Sequence, residues 1–236
     1  DFDDLYEKYE EDKSIPKKVV RAQDLFFDLL KERAETGRIY IMNIDHCNTH
    51  SSFKDKISMS NLCQEITLPT KPIQHIDDEK GEIALCILSA INVGTLNDVS
   101  ELENLCDISV RALDQIIDYQ RYPVKAAEVS TKARRSLGIG YIGLAHYLAK
   151  SGVKYHDPKA WELVDRLSEA FQYYLLRASC NLADEKGKCT AFDKTKYADG
   201  LLPIDHYKKE VDRQIASKKT GKGYDSHKNY NRKGEQ

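Results

Sequence analysis

The chain is 236 residues long, 41% hydrophobic and 31% charged, with 36 basic against 38 acidic residues. That near-balance gives no electrostatic case for a nucleic-acid or membrane-surface partner. No stretch approaches the roughly 18 apolar residues of a membrane helix, and no basic-then-apolar leader precedes the first helical pattern.

The first strong helix reads over residues 16–35, with Ser14 near its start, Pro16 at an early position and Gly37 at its end. Val19, Ala22, Phe26, Leu29 and Leu30 form its apolar face. Residues 38–44 (RIYIMNI) read as a strand, residues 46–60 as a long polar loop and residues 60–69 as an extended segment. The apolar run at 83–93 (IALCILSAINV) fits a strand buried on both faces. Ser100 to Glu103 carry a capping-box signature. Behind it a helix presents Leu102, Leu105, Ser109, Ala112, Leu113 and Ile116, and Pro123 closes the region. Residues 136–144 (SLGIGYIGL) read as strand and turn, and residues 145–150 as a short helix. Asp157 and Pro158 open a long helix striped by Trp161, Val164, Leu167, Phe171, Leu175, Ala178 and Leu182 and stopped by Gly187. Strands alternating with helices indicate an α/β fold. Length suits one large domain or two small ones.

Six cysteines are present and none forms a Cys-x-x-Cys pair. In a chain with ample core material they point to a reducing cytoplasm rather than a disulfide framework. The informative one is Cys63, in Asn61-Leu62-Cys63-Gln64-Glu65. On an extended strand alternate side chains share a face, which would direct Asn61, Cys63 and Glu65 into one space. A thiol can be a nucleophile, a metal ligand or a radical carrier, and a neighbouring carboxylate can take a hydroxyl proton. Spacing alone leaves open the plainer alternative, a buried structural cysteine between two solvated neighbours.

The string SNLCQEI resembles the finger loop of class I ribonucleotide reductase large subunits. TGRIYIMNIDHCNTHSSF (36–53), LPTKPI (68–73), GEIALCILSAINVG (81–94), RALDQIIDYQRYP (111–123), SLGIGYIGLAHYLAK (136–150), QYYLLRAS (172–179) and LLPIDHYKK (201–209) are similar to the same family in the same order, over about residues 1–213. The resemblance implies part of a ten-stranded α/β barrel over residues 1–216, with a finger loop at about 46–66 carrying the radical cysteine through its centre. It implies that Cys63 is the transient thiyl radical removing the ribose 3′-hydrogen and that Glu65 accepts the 3′-hydroxyl proton. Asn61, Leu62, Cys63, Gln64 and Glu65 would contact the ribonucleoside diphosphate. Cys86 would be one half of the reducing dithiol, its partner lying upstream of Asp1 with the regulatory nucleotide-binding regions. No cofactor or metal is expected on this chain. The resemblance further implies that a separate metal-containing small subunit supplies the radical, thioredoxin or glutaredoxin the electrons, and a complementary large-subunit chain the rest of the site, within a large-subunit homodimer. The start at Asp1 rather than Met reads as a fragment, a processed chain or a split product.

Other features are set aside. Gly138-x-Gly140-x-x-Gly143 matches a dinucleotide fingerprint, but that motif needs a further strand and an acidic residue about 20 positions on. Asp157 and Glu162 are in range yet fall in the next helix. His46, Cys47 and His50 have no second cluster at zinc spacing. Cys106, Cys180 and Cys189 read as packing or unreactive thiols, and of Tyr173-Tyr174 one ring should face the core and the other a neighbouring helix. Residues 217–236, basic and without aliphatic side chains, read as a disordered tail. The rival functions are a non-catalytic remnant that only binds a complementary chain, and a nicotinamide dehydrogenase built on the glycine motif.

Overall fold

The computed structural model describes residues 2–209, so the expected tail at 217–236 lies outside the described residues. The chain divides into two units, Asp1–Met42 and Asn43–Gln236.

In the first unit, α1 (Phe2–Glu11) is followed by α2 (Ala22–Thr36). The helix expected from residue 16 begins six residues late, because its start signals serve a different turn. Ser14 donates from its hydroxyl to Asp12 Oδ1 at 2.7 Å in the turn leaving α1. Val19 and Val20 are β-branched, and Arg21, at φ −73° and ψ 127°, is still extended. Gly37 ends α2 as expected, at φ 65° with its N–H donating to Arg33 O. The predicted apolar face is not buried: Val19 precedes the helix, and Phe26 is 57% exposed. The strand expected at 38–44 does not form either.

The second unit opens with α3 (Ile44–His50), which runs from the end of the expected strand into the segment expected to be loop. Its sheet has two parallel strands, β1 (Ile87–Asn92) and β2 (Leu137–Ile142), in register from Ile87↔Leu137 to Asn92↔Ile142. A parallel pair needs a long crossover, and α4 (Leu102–Tyr119) and α5 (Lys125–Arg134) provide it. After β2 come α6 (Leu144–Lys150) and α7 (Pro158–Lys186), the latter with Pro158 in its first turn and Gly187 as its C-cap.

Among the described residues, only one face of the sheet is covered. Ile91 of β1 packs with Val93, Leu96, Leu102, Cys106, Leu167 and Phe171, joined by Ile139 and Tyr141 of β2. The other face is open: Leu88 is 58% and Ile142 57% exposed. The 83–93 run is therefore a half-covered strand here, not one buried on both sides. A second cluster, Val110, Ala178 and Leu182, continues the α4–α7 seam. Arg177 to Glu103 at 2.6 Å, Arg111 to Glu185 at 2.6 Å and Lys186 to Asp114 at 2.9 Å line its edges.

Two helix phases need correction. The buried apolar face of α4 is Leu102, Cys106, Val110, Leu113 and Ile117, so Leu102 and Leu113 are buried as expected, while Cys106, Val110 and Ile117 stand where Ser109, Ala112 and Ile116 were expected. Its spacings of three and four keep one stripe, while Ala112 and Ile116 face solvent. The capping box also sits earlier: Asp98 accepts from Ser100 N at 2.8 Å, and Glu101 accepts from the Asp98 N–H at 3.0 Å. In α7 the stripe holds for Leu167, Phe171, Ala178 and Leu182, whereas Trp161 is 62% exposed. Tyr174 packs against the core; Tyr173, expected to be covered as well, is exposed and holds Arg177 over its ring.

Candidate active site

Residues 51–86 run from α3 to the foot of β1 and carry the cysteine motif. Their N-terminal side is anchored twice. Asn48 on α3 grips Ile57, its Nδ2 donating to Ile57 O at 2.9 Å and its Oδ1 accepting from Ile57 N at 2.8 Å. That side chain leaves Ile57 fully buried. Phe53 pairs with Thr195 in an antiparallel bridge, and Lys54 reaches Asp199 at 2.7 Å.

The motif itself is a turn, not the expected strand. Gln64 N donates to Asn61 O at 3.1 Å, and Asn61 Oδ1 accepts from Ile66 N at 3.0 Å. Gln64 adopts φ 63°, the left-handed region. Alternation along a strand therefore does not hold Asn61, Cys63 and Glu65 on one face. They stand together on a short turn, all three exposed, with Leu62 78% exposed beside them and Gln64 half-buried. Asn61 braces the turn through its own side-chain oxygen. Cys63 is a free thiol on an open surface, accessible to a substrate or a partner.

Cys86 occupies the residue before β1 and is half-buried and free. Close to it is Gly138, the register partner of Leu88, where an added Cβ would lie 3.0 Å from Cys86 Sγ and 2.4 Å from Leu88 Cδ2. This first glycine of the discounted dinucleotide fingerprint leaves room for the thiol. Burial pushes the Cys86 thiol above its ordinary range. Gly138→Ala should bury it further. Because the thiolate is the reactive form, alkylation of Cys86 by iodoacetamide should slow by about threefold. Peptide mass spectrometry of the labelled chain checks this, and an unchanged rate would show that Gly138 does not set the thiol's surroundings.

An ionic cluster that periodicity does not reveal closes the loop at its base. Arg134, the last residue of α5, has a side chain 3% exposed. Its Nε donates to Glu82 Oε2 at 3.0 Å, and its Nη2 donates to Glu82 Oε2 at 2.6 Å and to Asp55 Oδ2 at 2.8 Å. The Phe53 ring stacks on the guanidinium at 5.3 Å. Lys71 also pairs with the Glu82 carboxylate, and the two residues exchange backbone hydrogen bonds of 2.9 and 3.1 Å. Hydrogen bonding to Arg134 holds the Asp55 carboxyl below its usual range. Burial raises that of Glu82, but hydrogen bonds from Lys71 and Arg134 outweigh it and the net shift is downward.

The remaining motifs fall elsewhere. Gly143, at φ 80°, caps the start of the short α6, and among the described residues no strand follows it. His46, Cys47 and His50 lie on α3, where the His50 ring contacts His46 at 6.2 Å and His206 at 6.4 Å. Among the described residues no group of three or more His, Cys, Asp or Glu side chains is placed to hold a metal ion. Cys106 is core, its thiol pushed up to about 11 by burial. Cys180 is exposed and Cys189 half-buried. No helix among the described residues is long and apolar enough to cross a membrane.

The family model for the ribonucleotide reductase barrel domain matches residues 1–233. The chain belongs to the ribonucleotide reductase barrel family. The match runs about twenty residues past the limit near 213 suggested by the motifs. The ribonucleoside-diphosphate reductase alpha subunit of Haemophilus influenzae is 58% identical over 214 residues, 89% of this chain and 28% of that protein. Subunit alpha of reductase 1 of Escherichia coli is 55% identical over 215 residues, again 28% of its length. The phage T4 alpha subunit is 42% identical over 223 residues, 29% of its length. The chain thus spans a little over a quarter of these relatives, which places it with the class I alpha subunits of the ribonucleotide reductase family.

Proposed function

We propose that this chain supplies the radical-cysteine loop and part of the ten-stranded α/β barrel of a class I ribonucleoside-diphosphate reductase, acting in the cytoplasm in deoxyribonucleotide synthesis. The observation that carries the reading is Asn61-Leu62-Cys63-Gln64-Glu65 on an exposed turn, in a chain that matches the family over residues 1–233. The radical comes from a separate, metal-containing small subunit. Cys63, as a thiyl radical, removes the 3′-hydrogen of the bound ribonucleoside diphosphate. Glu65 takes the 3′-hydroxyl proton while the 2′-hydroxyl leaves as water, and Asn61, Leu62 and Gln64 line the approach. Replacing C–OH by C–H requires two electrons, which Cys86 and a second thiol on a complementary large-subunit segment provide on forming a disulfide. Thioredoxin or glutaredoxin then restores the dithiol. β1 and β2, each edge open, become two members of a closed barrel when that segment pairs with them.

The test is reconstitution. This chain, complementary large-subunit chains, a small subunit and thioredoxin are combined with a ribonucleoside diphosphate. Deoxyribonucleoside diphosphate should form only when the complementary segment is present. Turnover by the chain and small subunit alone, or complementary chains that assemble without any turnover, would sink the reading.

A further inference from the structure

We propose that Arg134 is a positioning residue for the Asn61–Glu65 turn: one buried guanidinium clasps the two ends of the loop that carries it. The proposal rests on the reading of that turn as the working loop. Asp55 lies before the turn and Glu82 after it, and both carboxylates converge on Arg134 at 2.8 and 2.6 Å. Residues 56–81 therefore form a closed loop with its neck at the end of α5.

Three features make the neck specific. Arg134 is itself held by the helix, whose buried face is Ala126, Ala127, Ser130 and Thr131. Its planar fork serves two carboxylates at once, which the point charge of a lysine ammonium cannot reproduce. Finally, Ile83 N donates to Ala126 O at 3.3 Å, so the chain leaving the neck is tied to α5 before it becomes β1 and Cys86. One side chain thus fixes where the turn departs and where the strand bearing the second thiol begins. Closing a long loop costs conformational entropy. Releasing the neck should let the turn drift while the α4–α7 core, built from separate apolar contacts, stays intact.

The experiment uses the full chain without substrate and compares amide NMR spectra of wild type, Arg134→Lys and Asp55→Asn. Amide signals of Cys63, Gln64 and Glu65 should move or broaden in both variants, and those of α4 and α7 should not. Hydrogen exchange at the Lys71 and Glu82 amides should speed up roughly tenfold in Arg134→Lys. A role in bulk stability alone would lower the unfolding midpoint and leave the Cys63 and Gln64 signals in place. Asp55 is 34% exposed and asparagine keeps its shape, so this variant carries the test if Arg134→Lys does not fold. Unmoved turn signals in a folded variant overturn the proposal, as does unfolding of the whole chain by Asp55→Asn. Because no nucleotide is present, this result and the reconstitution can fail independently.

Discussion

Cys63→Ser in the reconstituted enzyme should leave the nucleotide untouched, whereas Cys86→Ser should consume it without yielding the deoxy product. The two thiols have opposite settings: Cys63 is exposed on a turn, and Cys86 is half-buried at the foot of β1 with its thiol raised by burial. In the proposed reaction Cys63 must carry an unpaired electron. A serine hydroxyl cannot, because its O–H bond is too strong to exchange hydrogen with a tyrosyl or thiyl radical. No 3′-hydrogen is removed, and neither product nor free base appears. Cys86→Ser keeps the radical thiol, so abstraction and loss of water begin. With one reducing thiol gone, the two-electron step stalls and the sugar decomposes with release of its base. Glu65→Gln keeps the shape of the turn and removes the proton acceptor, so turnover should fall on the order of a hundredfold with KM little changed. Base release, radical decay and deoxynucleotide yield distinguish the three variants. Base release by Cys63→Ser together with normal turnover by Cys86→Ser would reverse the two roles.

Where a segment's local signals and its packing agree, the structure follows the sequence. The helix α7 is legible because Pro158, the Leu167–Phe171–Ala178–Leu182 stripe and Gly187 all indicate one element. β2 and the turn at Gly143 are legible for the same reason. The helix α5 is not, because its buried face is alanine, serine, threonine and arginine and leaves no apolar stripe to read. For Asn61 to Glu65 a period-two pattern competes with turn chemistry, and turn chemistry prevails. Asn61 captures the Ile66 N–H and Gln64 takes a positive φ, both typical of loops that end in side-chain-to-backbone bonds. The sequence therefore picks out the motif, but the face its side chains share is set by the turn. The clasp was hidden because Asp55, Glu82 and Arg134 are scattered in sequence, and only the folded loop brings them together.

Leu167→Ala should be among the costliest substitutions in the chain, about 3 kcal/mol of stability, within the range for truncating a buried leucine. Leu167 has no exposed surface and sits where α7 crosses the β1–α4 unit, among Ile91, Val93, Leu96, Leu102, Cys106 and Phe171. Its neighbours come from a strand, two helices and the turn between them, so they cannot all move inward to fill the space. The lost contacts then add to the lost transfer free energy. Trp161 offers the contrast on the same helix, off the buried stripe: a larger apolar side chain, 62% exposed. Its truncation to alanine should cost less than about 0.5 kcal/mol. Urea unfolding of the full chain, followed by hydrogen exchange within α4 and α7, measures both. A larger loss for Trp161→Ala than for Leu167→Ala would mean that α7 is rotated from the face described here, with Trp161 rather than Leu167 against the sheet.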